Sequence, residues 1–158
     1  MKLASGIITI LLMFIGASSG STAGGIKTTT IAVIALAMYS GFRQRSTVRI
    51  FGRRIADKSI DGAFMVATAA IGVILLGTFI LSVTDSSYGL LENLFETVSA
   101  FGTVGSSMSM TPNLSSIGKI VIMLLMYIGR VGPVTFGLSL LVEKESSIKY
   151  PKGDLLIG

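Results

Sequence analysis

The sequence predicts an all-α integral membrane protein. Three observations carry that reading: apolar residues dominate, one uncharged run is long enough to cross a bilayer, and basic residues gather in a single loop between apolar stretches. The 158-residue chain is 51% hydrophobic and 13% charged. Its mean hydropathy is +0.79. Soluble domains carry about 25% charged residues, so this surface suits lipid better than water.

Residues 3–15 and 26–38 are apolar but too short to cross alone, since a span takes about 20 residues. Between them lies Gly16-Ala-Ser-Ser-Gly-Ser-Thr-Ala-Gly-Gly25. Joined, the two runs are long enough, which predicts one broken helix over residues 1–40. The alternative is two helices joined by a surface linker. Lys2 before an apolar run begins like a signal peptide, but the second apolar run argues against cleavage. Backbone that leaves a helix at membrane depth must be buried in protein or face water. Discontinuous helices of this kind line ion or substrate paths.

Residues 41–61 form a basic loop with Arg43, Arg45, Arg49, Arg53, Arg54 and Lys58. Flanked by apolar spans, it reads as cytoplasmic under the positive-inside rule, and no nucleic-acid partner is expected. Residues 62–83 are uncharged and apolar and predict a transmembrane helix. Residues 90–101 are too short to cross, apolar on one face, with Glu92 and Glu96 at i, i+4 on another. They predict a re-entrant half-helix, followed by irregular chain to Pro112. Residues 116–142 predict a second span. Lys119 can snorkel to the interface; Arg130 lies deeper, where a cation is costly and usually faces a polar cavity or a partner. The tail 143–158 carries Lys144, Lys149 and Lys152 and also fits the cytoplasm.

Leu11-Leu-Met-Phe-Ile-Gly16 repeats as Leu124-Leu-Met-Tyr-Ile-Gly129. Such repetition implies equivalent structural units. Residues 62–142 hold one complete unit; residues 1–40 hold only the end of another. The expectation is that the chain is part of a larger architecture.

Outer helix, half-helix, loop and inner helix form the plan of a potassium-channel pore unit. Thr103-Val-Gly105 matches the start of the potassium-filter sequence Thr-Val-Gly-Tyr-Gly, with Ser106 and Ser107 in place of the last two residues. A dehydrated potassium ion needs carbonyl oxygens to replace its water. Gly105 permits positive φ, which lets carbonyls turn inward. A half-helix ending near Ala100 aims its negative dipole end at a cation. Thr-Val-Gly alone reads equally well as a helix cap followed by a turn. Cysteine and histidine are absent. That removes thiolate and imidazole ligands and the commonest general base. No carboxylates are paired for catalysis, so neither an enzyme nor a covalent cofactor is expected.

The chain resembles the Trk/Ktr/HKT potassium-transporter superfamily, in particular the C-terminal part of a KtrB-type membrane subunit. Residues 14–30, 99–105, Gly129-Arg-Val-Gly-Pro133 and the tail 150–158 carry the likeness. The resemblance implies four pore units with pseudo-four-fold symmetry, of which this chain would supply the last inner helix of unit three and all of unit four. It implies a selectivity filter at Gly102, Thr103, Val104, Gly105 and Ser106, with potassium, or sodium, at Thr103, Val104 and Gly105. It implies an intramembrane gate loop at Gly16, Ser18, Ser19, Gly20, Ser21, Thr22, Gly24 and Gly25. Arg130 would restrain that gate from the pore side. Lys27 either joins it in setting the cation barrier or marks the inner half of the membrane. The resemblance also implies a multi-pass protein of the cell membrane, a homodimer and a cytosolic nucleotide-binding regulatory subunit docked on the basic loop or tail. The competing readings are a sodium-coupled secondary transporter and a non-conducting membrane fragment.

Overall fold

The computed structural model describes residues 3–16, 18, 24–43, 48–50 and 53–132. In chain order it forms α1 (Leu3–Phe14), α2 (Thr28–Phe42), the strands β1 (Arg49–Ile50) and β2 (Arg53–Arg54), α3 (Asp57–Thr84), α4 (Leu90–Gly102), a single 3-10 turn (Thr111–Asn113) and α5 (Ser116–Val131). Ser19, Gly20, Ser21 and Thr22 of the expected gate loop lie outside the described residues, as do Arg45, residues 133–142 of the expected second span and the tail 143–158.

Helix α3 starts five residues before the uncharged run, with Asp57 in its first turn, where a carboxylate suits the helix dipole. At 28 residues it is about 42 Å long. Among the described residues it is the one helix long and apolar enough to cross a membrane. The basic loop folds as a short antiparallel hairpin, Arg49 opposite Arg54 and Ile50 opposite Arg53. Arg54 then pairs with Asp57 at 3.0 Å.

Helix α4 occupies the centre and packs against α1, α3 and α5. It begins at Gly89, whose N–H donates to the Glu92 carboxylate at 2.9 Å. Every residue from Phe95 to Gly102 is buried. One apolar cluster gathers Ile10, Met13, Ile26, Ala70, Ile74, Phe95, Val98 and Phe101. A second joins Leu81, Ala100, Met110, Leu114, Ile122 and Leu125. Where α3 meets α5, Gly77 sits so close that an added Cβ would fall 2.8 Å from Leu125 Cδ1.

The exterior is unlike that of a water-soluble fold. Thr78, Asp85, Asn93, Glu96, Thr97 and Ser99 are buried, while Leu11, Leu12, Leu75, Leu76, Phe79 and Leu124 are exposed. The Thr78 and Thr97 hydroxyls meet at 2.9 Å between α3 and α4. Buried polar groups find partners inside, and the large apolar exterior marks a surface that a non-aqueous environment covers.

Within the expected span 116–142, α5 closes at Val131 on Gly132, which has φ 97°; residues 133–142 lie outside the described residues. Glycine tolerates this positive φ, which takes the chain out of the helix. The pair Glu92 and Glu96 does not form a shared polar face. Glu92 caps its helix, whereas Glu96 is buried at 5% exposure.

Candidate functional site

The end of α4 is a close made by Thr103. Its N–H donates to Ala100 at 3.0 Å, and the Val104 N–H donates to Ser99 at 3.0 Å. This nested pair of bonds usually requires glycine at the left-handed position. Here threonine takes it, with φ 53° and ψ 36°, at a cost of roughly 1–2 kcal/mol. Thr-Val-Gly is therefore both a helix cap and the start of an irregular segment. Gly105 follows at φ 82° with open space around it. Val104, Gly105 and Ser106 are exposed, Thr103 is half-buried and Gly102 is buried.

The glycine-rich segment reaches this same point. The Ile15 and Ile26 backbones form a parallel bridge, so the chain leaves the loop in the direction it entered. The Gly16 N–H donates to Ile26 at 2.8 Å. The Gly24 N–H donates to the Thr103 hydroxyl at 2.9 Å. The Gly25 N–H donates to the Gly129 carbonyl at 3.3 Å, from a φ of 84°.

Glycines make these approaches possible. A Cβ on Gly24 would fall 2.9 Å from the Phe101 carbonyl oxygen, and one on Gly102 would fall 2.8 Å from that of Met13. A Cβ on Gly129 would collide with the Phe101 carbonyl, and one on Gly16 with that of Gly24. The two glycines of the repeat thus hold corresponding roles: each lets backbone meet backbone. Gly16 does so just past the end of α1, whereas Gly129 does so inside α5.

Two open cavities of about 390 Å³ flank Thr103. One is lined by Thr9, Leu12, Met13, Gly16, Gly102 and Val104. The other is lined by Gly105, Met126, Tyr127 and Arg130. Arg130 is exposed in the last turn of α5. It shares a cavity with the Thr103–Gly105 segment, while its expected contacts with Ser19–Thr22 fall outside the described residues. Lys27 is exposed where α2 begins. Ser18 is exposed.

Two carboxylates brace the scaffold. Asp85, at the end of α3, accepts from the Ser115 N–H at 2.8 Å and the Ser115 hydroxyl at 2.9 Å. Thr84 donates to it at 2.9 Å. Ser115 in turn caps α5 by accepting from the Gly118 N–H at 3.0 Å. Burial acts to raise the Asp85 pKa; the Ser115 N–H and the Thr84 and Ser115 hydroxyls outweigh it and hold the carboxyl below its ordinary value. Glu96 accepts from the Ser107 hydroxyl at 2.8 Å and from the Thr111 hydroxyl. Neither carboxylate is a site residue by sequence pattern, because both acquire partners from the segment that folds back after α4. Among the described residues no group of three or more acidic, cysteine or histidine side chains could hold a metal.

An apolar exterior around buried helices and hydrogen-bonded buried polar groups is the pattern of a helical membrane protein. The chain belongs to the TrkH family, described as cation transport protein, which it matches over residues 2–150. It is 43% identical over 152 residues to Ktr system potassium uptake protein B of Bacillus subtilis, covering 96% of this chain and 34% of that one. It is 41% identical over 158 residues to potassium/sodium uptake protein NtpJ of Enterococcus hirae, covering 96% of this chain and 35% of the relative. Ktr system potassium uptake protein D of Bacillus subtilis is 44% identical over 149 residues, 93% of this chain and 33% of the relative. The chain spans about a third of the length of the curated relatives it matches.

Proposed function

We propose that this chain supplies part of a potassium-conducting pore in a cell membrane. The observation that carries the reading is the convergence on Thr103: the glycine-rich segment hydrogen-bonds its hydroxyl, and Arg130 shares a cavity with it and Gly105. Helix α4 ends at this point with its negative dipole end toward the irregular segment, which favours a cation there. Residues Gly102–Ser106 act as the filter, their carbonyls replacing the hydration shell of potassium at Thr103, Val104 and Gly105. The segment from Gly16 to Gly25 acts as the gate, with Arg130 as its cationic restraint and Lys27 at its margin. No covalent chemistry is involved. The remaining pore units, a second copy and a cytosolic nucleotide-binding subunit complete the assembly. The basic loop and the tail face the cytoplasm. Sodium is the competing cargo, since one relative is named for both ions.

The test is rubidium uptake by the complete reading frame containing this chain, in a host lacking its own potassium uptake. Uptake should be saturable and competed by potassium. Gly105→Ala, placed at φ 82°, should lower preference for potassium over sodium, because the backbone cost of about 1–2 kcal/mol displaces the carbonyls. Uptake of an organic solute coupled to sodium, with no rubidium flux, sinks the reading.

A further inference from the structure

We infer that Glu96 is a positioning residue for ion selectivity, the buried post to which the segment after the filter is tied. The inference rests on the pore reading above and adds to it a residue that neither the filter nor the gate contains. Between Gly105 and Ser109 no backbone-to-backbone hydrogen bond holds the chain among the described residues. Val104, Gly105, Ser106 and Ser107 are all exposed. Left to itself, such a segment samples many conformations. Two kinds of contact fix it. Met110 is fully buried in the cluster with Leu81 and Ala100. The Ser107 and Thr111 hydroxyls both donate to the Glu96 carboxylate.

The post itself is rigid. Glu96 stands near the start of the buried run Phe95–Gly102, on the helix that α1, α3 and α5 surround. Its two oxygens take one hydroxyl each, Ser107 on Oε2 and Thr111 on Oε1. Two hydrogen bonds from different residues fix direction as well as distance. The tether starts two residues beyond Gly105. A coordination site works only when its supporting groups hold it to about 0.5 Å, and here the supporting group is Glu96. Its burial is unusual for glutamate and is explained by these two donors.

The experiment compares four forms of the complete reading frame with wild type, each normalised to its amount in the membrane: Glu96→Ala, Glu96→Gln, the double variant S107A/T111V, and all three changes of Glu96→Ala with S107A/T111V together. The readouts are the rubidium-over-sodium uptake ratio and hydrogen exchange of the 104–111 amides. Glu96→Ala and S107A/T111V should each lower the ratio about five-fold or more, because each removes both hydroxyl bonds and the loss of one is worth about that factor, and should speed exchange. The combined variant should be no worse than either parent, because all three cut the same tether. Glutamine can accept from one hydroxyl and donate to the other, so Glu96→Gln should fall between wild type and Glu96→Ala. The inference is overturned if S107A/T111V leaves ratio and exchange unchanged, if the losses add, or if Glu96→Ala reduces only the amount of protein. A wild type that carries no rubidium ends the pore reading instead; the exchange measurements then still decide whether Glu96 ties the segment.

Discussion

Gly129 has the least room for a side chain among the described glycines. It sits inside α5, yet a side chain there would meet the backbone carbonyl of Phe101, which cannot rotate away as a side chain would. Gly129→Ala should destabilise the protein by about 1–3 kcal/mol, read as a lower melting temperature in detergent. Gly41→Ala and Gly62→Ala are the controls: both glycines are helical and nothing lies within 4 Å of an added Cβ. They should be neutral or stabilise by up to about 1 kcal/mol. At this scale the sequence is unevenly legible. Thr103 and Gly105 stand out through the Thr-Val-Gly pattern, although nothing in a threonine foretells the left-handed turn at Thr103. Gly129 stands out through the repeat. Glu96 does not, because helical spacing groups it with Glu92; its burial depends on Ser107 and Thr111 folding back over α4.

Between elements, the joint of α3 and α5 turns on a single carboxylate. Asp85 closes its own helix through its backbone N–H, while its carboxylate holds the Ser115 N–H and hydroxyl from which α5 starts. An added Cβ on Gly118 would fall 2.6 Å from its Oδ2, so the fit is close. Its pKa is depressed in the fold. The stabilisation is therefore complete above the unfolded-chain value of about 3.9 and is lost as pH falls through the lower folded value. Melting temperature should drop with acidification in that range, and Asp85→Asn should flatten the drop while costing about 1–3 kcal/mol at neutral pH. The helices themselves are readable from composition, α4 to within one residue. Their ends depend on capping chemistry that apolar runs conceal. Apolar residues continue past Val131 in the sequence, yet Gly132, at φ 97°, takes the chain out of α5.

For the molecule as a whole, the distribution of polarity determines where it resides. Buried hydroxyls and carboxylates with an exposed shell of leucine, phenylalanine and methionine make lipid the favourable surroundings. The protein should stay in the membrane pellet through alkaline carbonate and leave it only with detergent. Release by carbonate alone would contradict that placement. This apolar exterior is legible from the sequence, since charge scarcity and apolar runs report it directly. The contact between Gly24 and Thr103 is not: 79 positions separate them, and no local pattern joins them.

That contact has a mechanical consequence. Side chains usually act as a cushion between packed elements, taking up small shifts by changing rotamer. Around Phe101–Thr103 the cushion is missing, because Gly16, Gly24, Gly25, Gly102 and Gly129 bring main chain directly against main chain. Close-packed matter of this kind transmits strain rather than absorbing it. The end of α4 and the returning limb of the glycine-rich segment are therefore stiffly geared: while Gly24 keeps its place, Thr103 keeps its own, and a displacement of either one is felt at the other.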